Sequence, residues 1–538
     1  MTDSHLKNLY FSEGIQYIPK LLELVDRNPL SSTFGCFDRS YWHYRTSDFP
    51  SGMYQEAVLP LALAVTLPHP ENPYYGKERI YQIILGGIAF ACRSAHRNGA
   101  CDDYFPFERA TGAAAFSLYA CSEALLGLGE KGDEYWEPLK LWARYLAREG
   151  VRESGVLSNH KALIVLALYN IFLLTGEETF KHSAIRILKD LLSLQDPEGW
   201  FPEYGGCDPG YLTFTIDFLA KYYQKSGDPD VVEPLCRAIE FASYFMHPDG
   251  SYGGEYGSRN TFHFLPHGFE VMGAATPWAI PTANDFLRSL ENKTRSYLED
   301  DRIFIHYTYN YLQAYRDFFK LREDTTANES RHFQKFFERS GLLAVAEGAD
   351  YAVISLKKGG VAKIFKKGAL RLSDGGFVGL TAENEKFMSA HAVERKCERR
   401  EDCLTVEGYC YEYRDLVFKP FSFFLFRGFQ ILIARFLPAN FVRKLLQKKA
   451  ITQKLKKLPI RFKKEFFLKG LTKVRYTLWL EAPSLKVKEL WIGADPTFIY
   501  IATSQPFQGG NLLPWISLAS QVQVLNQNRT VQFEQALA

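Results

Sequence analysis

The segment from Ala162 to Leu174, ALIVLALYNIFLL, constrains the fold most strongly, because it is apolar on every face of a helix. Such a helix has to be buried on all sides, as in the inner ring of a double-layered helical toroid. The following segment, KHSAIRILKDLLSL from Lys181, carries the one-sided apolar stripe of an outer helix that borders solvent. Stretches of this kind recur from about residue 12 to residue 320, so the sequence predicts an array of helical hairpins.

A short internal repeat supports the helical array. The triplet EYG begins at Glu203 and again at Glu255, 52 residues further along the chain. Two helices with their two connecting loops need about that length. We therefore expect the two triplets in equivalent loops on one rim of the ring.

The pattern of the sequence changes after a polar segment at 321–335. Alternating β-branched and aromatic runs follow, bounded by Gly, Asp and Asn turns, as in YAVISLKKGGVAKIF, CLTVEGYCYEY and YTLWLEA. This change predicts a multi-domain chain, α then β. The N-terminal domain is an (α/α) incomplete toroid over 1–330, and the C-terminal domain is an antiparallel β-sandwich over 336–538.

The second domain contains a basic insertion at about 426–473, in which Glu465 is the only acidic residue. Apolar and basic side chains are mixed there, and this composition is typical of two kinds of surface. One is a solvated face on a helical insertion. The other is a binding face for an acidic polysaccharide or for an anionic membrane, which would give peripheral membrane contact.

Composition and charge exclude several classes of protein. A net charge of +3 over 538 residues is too small to indicate a nucleic-acid partner. No uninterrupted apolar run approaches the roughly 18 residues that cross a bilayer, and no signal peptide is recognisable, so we expect a cytoplasmic protein without a transmembrane segment. Nine cysteines without CxxC pairs or His-spaced sets favour a reduced compartment, with no metal site and no cofactor.

One helix start places polar side chains where a toroid has its central cleft. In SNHKALIVLALY, Ser158 is a candidate N-cap, and Asn159 and His160 occupy the first turn. The exposed N–H groups and the positive end of the helix dipole favour an anion there, and an amide with an imidazole can bind a carboxylate. The alternative is an ordinary cap beside a surface histidine.

A second helix start is GGCDPGYLTFTIDFLAKYY. Asp208 suits the N-cap and Pro209 suits the first helical position, which puts Tyr211 in the first turn. A tyrosine at this position either faces the cleft or packs against the neighbouring loop.

These features together resemble the heparinase II/III and alginate lyase group of polysaccharide lyases. The resemblance lies in the order of helical array and β-sandwich, in the Asn159–His160 pair, in Tyr211 52 residues after Asn159, and in HFQKFFERSGLLAVAEGADYAVISLKKGG from His332. It spans most of the chain. It implies an α/α toroid with a β-sandwich, and an enzyme that cleaves a uronate-containing glycan by β-elimination.

The resemblance also implies how the reaction is divided between residues. Asn159 and His160 would neutralise the uronate carboxylate, so that the charge developing after loss of the C5 proton is stabilised. Tyr211 would take that proton and return one to the departing O4.

Further positive charge near the tyrosine would lower its pKa and help it act as a base. Arg259, His263 and His267, in GSRNTFHFLPHGF, are the candidates, and His263 and His267 are counted with the catalytic residues. Members of the group usually add histidines from the sandwich, where this sequence offers His391.

Several rim loops combine aromatic and charged residues in the way that sugar-binding loops do. The predicted substrate-binding residues are Asp38, Arg39, Trp42, His43, Asp103, Tyr104, Arg109, Glu203, Tyr204, Asp208, Glu255, Tyr256 and Arg259. Their ligand would be an acidic polysaccharide or oligosaccharide. The alternative is that these loops pack against one another through surface ion pairs.

Two other functions remain open from the sequence. A glycoside hydrolase on the same toroid would use a pair of carboxylates from Glu203, Asp208 and Glu255. A non-catalytic glycan-binding or polysaccharide-assembly protein would keep the fold without the reaction. A lyase releases an unsaturated product that absorbs ultraviolet light, whereas a hydrolase releases only new reducing ends.

Overall fold

The computed structural model describes residues 3–130, 133–152, 157–297, 302–322, 331–390, 394–413, 419–439, 441–442, 455–493, 507–508 and 515–537. His391 and residues 443–454 lie outside these ranges. The first part of the described chain is helical and the second consists mainly of strands. All nine cysteines are free thiols.

Fourteen helices form the first part within the described ranges. They are α1 (Asp3–Ile15), α2 (Ile18–Leu24), α3 (Arg39–Trp42), α4 (Val58–Thr66), α5 (Glu78–Ser94), α6 (Thr111–Leu128), α7 (Trp136–Arg152), α8 (Ser158–Thr175), α9 (Glu178–Leu192), α10 (Pro209–Ser226), α11 (Val232–Ser243), α12 (His267–Val271), α13 (Ala279–Asn292) and α14 (Phe304–Arg316).

Six of these helices form the inner ring of the toroid. Helices α4, α6, α8, α10, α12 and α14 each contact the next, and α14 contacts α4. Helix α8 lies inside because every residue from Lys161 to Ile171 is buried, as its all-round apolar sequence predicts. Helices α6, α8 and α10 end at Gly129, Gly176 and Gly227, whose left-handed backbone turns the chain towards the outer layer.

Helices α6 and α8 are also long and apolar enough to cross a membrane by length and composition. Both are largely buried, 78% of α6 and 72% of α8, by the neighbouring helices of the toroid. Core helices of globular domains are often as long and as apolar as this. The packing of α6 and α8 inside the toroid therefore explains their composition.

The strands of the chain are mostly in the second part. They are β1 (Pro202–Glu203), β2 (Gly206–Cys207), β3 (Ser296–Tyr297), β4 (His332–Phe337), β5 (Leu342–Glu347), β6 (Asp350–Ser355), β7 (Val361–Lys366), β8 (Ala369–Asp374), β9 (Phe377–Thr381), β10 (Lys386–Met388), β11 (Arg395–Arg399), β12 (Cys403–Glu412), β13 (Lys457–Phe467), β14 (Lys473–Leu480), β15 (Val487–Ile492), β16 (Phe507–Gln508), β17 (Ile516–Ser517) and β18 (Thr530–Ala536).

Two antiparallel sheets form the predicted β-sandwich. The first has the order β4-β5-β6-β7-β8, and the second has the order β17-β15-β9-β10-β12-β13-β14-β18 with β11 paired to β12. Apolar side chains of both sheets share one core, among them Ile354 and Ile364 of the first and Phe462 and Tyr476 of the second. Helices α15 (Pro420–Leu432) and α16 (Ala519–Asn528) complete the domain.

The region predicted as a basic insertion at 426–473 differs from that prediction. It begins inside α15, but β13 and the start of β14 belong to the second sheet, where β13 pairs with both β12 and β14. Burial alternates along β13, with Leu458, Ile460 and Phe462 inside. Basic residues alternate with these buried apolar residues, so the two-residue period of a strand is less evident in the sequence than the positive charge.

The first sheet packs directly on the toroid. Tyr351 Oη donates to the Tyr244 carbonyl at 2.7 Å, and Lys363 Nζ lies 3.3 Å from Glu255 Oε2. Lys358 Nζ donates to the Gly257 carbonyl at 2.9 Å and also to two other groups of the same loop. The loop at 254–261 is therefore held by side chains of the β-domain.

Candidate active site

The inner helices α6, α8, α10 and α14 begin at one rim of the ring, and the β1–β2 hairpin lies between the starts of α8 and α10. Leu157 bridges to Glu203 across this junction, and Ser258 N donates to the Cys207 carbonyl at 2.8 Å. The loops that contain the two EYG triplets therefore lie side by side, in agreement with their expected position on one rim.

Helix α8 is capped by a residue distant in sequence. Ser158 is already the first helical residue, and its hydroxyl donates to the Pro202 carbonyl at 2.7 Å, so the prediction that Ser158 is the N-cap is wrong. The backbone N and Nδ2 of Asn159 both donate to Glu203 Oε1, at 2.8 and 2.9 Å. The Glu203 carboxyl thus satisfies the start of α8 and fixes the amide of Asn159.

Glu203 is a buried acid that is neutral at neutral pH. Burial, together with the nearby Asp208 carboxylate, raises its pKa to about 8, although the hydrogen bonds from Asn159 and the charge of Arg259 act in the opposite direction. Its Oε2 atom has no hydrogen-bond partner among the described residues. A protonated Glu203 can therefore donate a hydrogen bond from this atom.

Replacing Glu203 by glutamine is expected to make stability less dependent on pH. The unfolded chain loses this proton near pH 4.5 and the folded chain near pH 8, so the residue destabilises the fold increasingly between these values and by a constant amount above them. Thermal unfolding at pH 5 and pH 8 should show a smaller difference for Glu203→Gln than for the wild type. The exposed Glu233→Gln variant should keep the wild-type difference, and an unchanged difference in Glu203→Gln would contradict the raised pKa.

Asp208 begins α10 as predicted, with Pro209 at the first helical position. Its Oδ1 atom accepts from Tyr211 N at 2.9 Å and from the hydroxyl of Thr261, and its Oδ2 accepts from Arg259 N at 2.8 Å. Both oxygens are therefore occupied by the protein. The carboxylate positions Tyr211 and the Arg259 loop, whereas the sequence predicted that it binds sugar.

Tyr211 is half-buried in the first turn of α10, where the sequence predicts it. Its ring meets His263 edge to face, with ring centroids 5.4 Å apart, and it lies 5.9 Å from the ring of Phe214. His263 Nδ1 lies 2.8 Å from Tyr307 Oη, and His263 Nε2 has no hydrogen-bond partner among the described residues. Two phenols and one imidazole thus form a single cluster.

His263 does not provide the positive charge that the sequence analysis expected of it. Burial, together with the charge of His306, lowers its pKa to about 3, so the imidazole is neutral at neutral pH. Arg259 remains as a cation of this region. Its guanidinium lies 3.9 Å from the centre of the Tyr204 ring, and Tyr204 has a left-handed backbone with φ of 52°.

His160 and His306 extend the cluster along a wall of aromatic rings. Phe116 lies 6.1 Å from His160 and 4.7 Å from His306, and Phe214 lies 5.8 Å from His306. The Cβ of any residue other than glycine at position 112 would come within 2.8 Å of the His160 ring, so Gly112 makes room for this imidazole. His160 and Tyr211 are therefore connected through side chains of α6, α10 and α14.

Three residues of this site are absent from the residues predicted from the sequence. His306 and Tyr307 lie in the first turn of α14, and Glu56, just before α4, is 2.7 Å from His306 Nδ1. The rule that singled out Asn159 and Tyr211, a polar or phenolic group in the first turn of an inner helix, also selects the two residues of α14.

Three predicted residues of the 254–270 region have structural contacts instead. His267 is fully buried, with Nε2 2.8 Å from Asp317 Oδ2 and Nδ1 3.5 Å from Asp217 Oδ1. Tyr256 is buried, and its hydroxyl lies 3.1 Å from His247 Nε2. Glu255 pairs with Lys363 of the β-domain, as described above.

The predicted sugar-binding loops at 38–44 and 102–109 form a separate part of the rim. Asp38 is buried as the N-cap of α3, and Asp103 accepts from Ser51 Oγ and Arg302 Nη2, both at 2.9 Å. Trp42 Nε1 donates to the Leu24 carbonyl at 2.8 Å, and His43 is exposed beside it.

The arginines near these loops make two kinds of contact: two lie over aromatic rings, and one donates hydrogen bonds to the β-domain. The guanidinium of Arg39 lies over Tyr44, and that of Arg302 lies over the exposed Tyr104. Arg109 Nη2 donates to the Ala434 carbonyl at 3.1 Å and to the Leu437 carbonyl. Tyr104, Tyr44 and His43 are the exposed rings of these loops, and Arg109 is engaged by the segment after α15.

A cavity of about 330 Å³ lies elsewhere in the toroid. Leu63, Glu123 and Arg316 are among its lining residues, and none of the residues of the candidate site lines it. The cavity therefore does not belong to the candidate site.

No protein-family model matches the sequence, and no curated protein matches it. The fold does match solved structures. Chondroitin AC lyase of Streptomyces coelicolor A3, in complex with chondroitin sulphate, superposes with a TM-score of 0.53 at 10% identity, over 92% of this chain and 71% of that one.

Two other solved structures are similar at lower scores. Xanthan lyase of Paenibacillus has a TM-score of 0.48 at 9% identity, over 90% of this chain and 46% of that chain. Heparan sulfate lyase of Pedobacter heparinus has a TM-score of 0.38 at 10% identity, over 82% and 62%. The chain thus spans about half the length of the xanthan lyase. It shares with the chondroitin AC lyase the fold of an α/α toroid followed by antiparallel β-sheets.

Proposed function

We propose that this protein is a lyase that cleaves a uronate-containing glycan by β-elimination. The observation that carries the proposal is the cluster of Tyr211, His263 and Tyr307, at the same rim as the Asn159 amide. A β-elimination needs a group that moves a proton and groups that stabilise charge on the carboxylate. This rim offers a phenol for the first task, and an amide and imidazoles for the second.

The proposed reaction begins when the substrate carboxylate lies at the start of α8. Hydrogen bonds from the amide of Asn159 and from His160 stabilise the enolate-like charge that forms as the C5 proton leaves. Glu203 holds the amide of Asn159 in position through a hydrogen bond. Because Glu203 is protonated, it adds no second negative charge beside the substrate carboxylate.

Tyr211 transfers the proton in this proposal. Its ionised phenol takes the proton from C5, the C4–O4 bond breaks as a C4–C5 double bond forms, and the phenol gives the same proton to the departing O4. Neutral His263 packs against the phenol and holds Tyr307, so it positions Tyr211. Arg259, beside Tyr204, supplies a cation on the same side of the site.

A glycoside hydrolase fits the described residues less well. Hydrolysis requires two carboxyl groups flanking the glycosidic bond, one as acid and one as base or nucleophile. Of the three predicted candidates, Asp208 has both oxygens occupied, Glu255 is paired with Lys363, and only Glu203 keeps an oxygen without a partner.

The substrate class we propose is an acidic polysaccharide or oligosaccharide. The similar structures named above are lyases of chondroitin, xanthan and heparan sulfate, and the exposed Tyr104 and His43 would stack on sugar rings. Membrane contact through basic residues stays a prediction.

Incubation of the purified protein with a panel of uronate polymers tests the proposed function. We expect ultraviolet absorbance to rise as the conjugated double bond forms, in step with new reducing ends. Reducing ends without absorbance would establish the hydrolase. Binding by calorimetry without either product, over the whole panel, would favour the glycan-binding or assembly protein.

A further inference from the structure

Helix α15 and the residues after it expose an unusual number of large apolar side chains. We define the α15 surface as Phe421, Phe424, Leu425, Leu432, Ile433, Phe436 and Phe441, with exposures of 71, 69, 55, 71, 52, 71 and 56%. Scattered exposed apolar residues are normal, but seven within 21 positions form a patch that indicates an interaction site. The first four follow the spacing of one helical face.

The opposite face of α15 anchors the helix to the toroid. Phe426 meets Phe105 edge to face at 4.7 Å, and Gln430 and Ala434 are buried. Arg427 lies 3.3 Å from Asp48, and Arg109 binds two carbonyls after the helix. The apolar face is thus directed outwards by contacts on the other side, and its exposure is part of the fold.

The charged residues of the segment that carries the α15 surface are all basic. Lys419, Arg427 and Arg435 lie within 419–442 and no acidic residue does; in the sequence none occurs between Asp415 and Glu465. The guanidinium of exposed Arg435 lies 4.5 Å from the Phe436 ring centre. Aromatic side chains next to arginines, without acids, are typical of helices that lie in the interface of an anionic membrane.

We propose that the α15 surface docks this protein on the surface of an anionic lipid bilayer. The phenylalanine and leucine side chains would enter the boundary between headgroups and acyl chains, and the exposed Lys419 and Arg435 would attract the lipid phosphates. A second copy of the chain fits less well, because a symmetric contact would bring these cations against one another. The proposal does not depend on the lyase reaction.

Flotation of the full-length protein with vesicles tests this proposal. Vesicles of phosphatidylcholine with phosphatidylglycerol should carry the protein upward, and vesicles of phosphatidylcholine alone should carry less. The triple variant Phe424→Ser, Leu425→Ser, Phe436→Ser should lose at least about tenfold in affinity, because three apolar side chains no longer enter the bilayer.

A matched control comes from exposed apolar residues outside the α15 surface. The triple variant Leu30→Ser, Tyr75→Ser, Leu321→Ser replaces side chains with exposures of 93, 53 and 85% and should bind as the wild type does. Equal binding by both triple variants, or no binding by the wild type, would overturn the proposal. Self-association that the first variant abolishes, without vesicle binding, would assign the surface to a second copy. Tyr211→Phe should bind vesicles normally, which separates this test from the proposed reaction.

Discussion

Tyr211→Phe is expected to lower the rate of uronate elimination by ~10²- to 10⁴-fold, the usual contribution of a general acid–base group. The substitution removes only the phenolic oxygen. The backbone N of residue 211 still donates to Asp208, and the ring still packs on His263 and Phe214. The loss should therefore appear in kcat, measured from the ultraviolet absorbance of the product, with no change in the unfolding temperature.

A tyrosine of the same helix provides the control for this experiment. Tyr223 is also half-buried, but it lies in the last turn of α10, away from the candidate site. Tyr223→Phe should keep the wild-type rate. If Tyr211→Phe retained activity within about twofold, another group would have to move the proton.

The second large effect concerns the stability of the β-domain. Lys464→Met is expected to destabilise the fold by ~3–5 kcal/mol, because it leaves a buried carboxylate without its partner. Lys464 Nζ donates to both oxygens of Asp374 at 2.7 Å, and Tyr476 Oη donates to the same group at 3.1 Å. Both members of the ion pair are fully buried. Chemical denaturation followed by circular dichroism measures the loss.

The neighbouring residue Lys463 is a suitable control, since it lies on the other face of β13. It is half-exposed and pairs with Glu465 at 2.9 Å. Lys463→Met should cost less than about 1 kcal/mol, as exposed ion pairs contribute little. Equal losses for Lys463→Met and Lys464→Met would contradict the buried ion pair, and Asp374→Leu combined with Lys464→Met should recover part of the stability.

Local signals explain the parts of the fold that were predictable. The all-round apolar character of α8 and the Asp208–Pro209 start of α10 depend on residues close in sequence, and the structure confirms both. The start of α8 was not predictable in the same way. Ser158 is a good cap by residue type, but Glu203, 44 residues away, occupies the hydrogen-bonding groups that a cap would satisfy.

The roles of His263 and His267 in the candidate site were likewise not predictable from nearby sequence. Both were predicted to contribute positive charge, yet His263 is neutral beside Tyr307 and His267 is held between Asp217 and Asp317. All three partners lie more than 40 residues away in the sequence. Residue type and spacing can indicate a cluster of imidazoles, but the environment of each ring is decided by packing.

Lys358 and Lys363 of the β-domain contact the 254–261 loop of the toroid. These contacts affect how the site is assembled during synthesis. The toroid leaves the ribosome first, because domains are made from the N-terminus. Lys358 and Lys363 are added later, and only then can they contact Glu255, Gly257 and Asn260. A nascent chain that stops before residue 358 would hold a helical ring whose 254–261 loop lacks these contacts, so the loop that carries Arg259 takes its final position only after the first strands of the second domain are made.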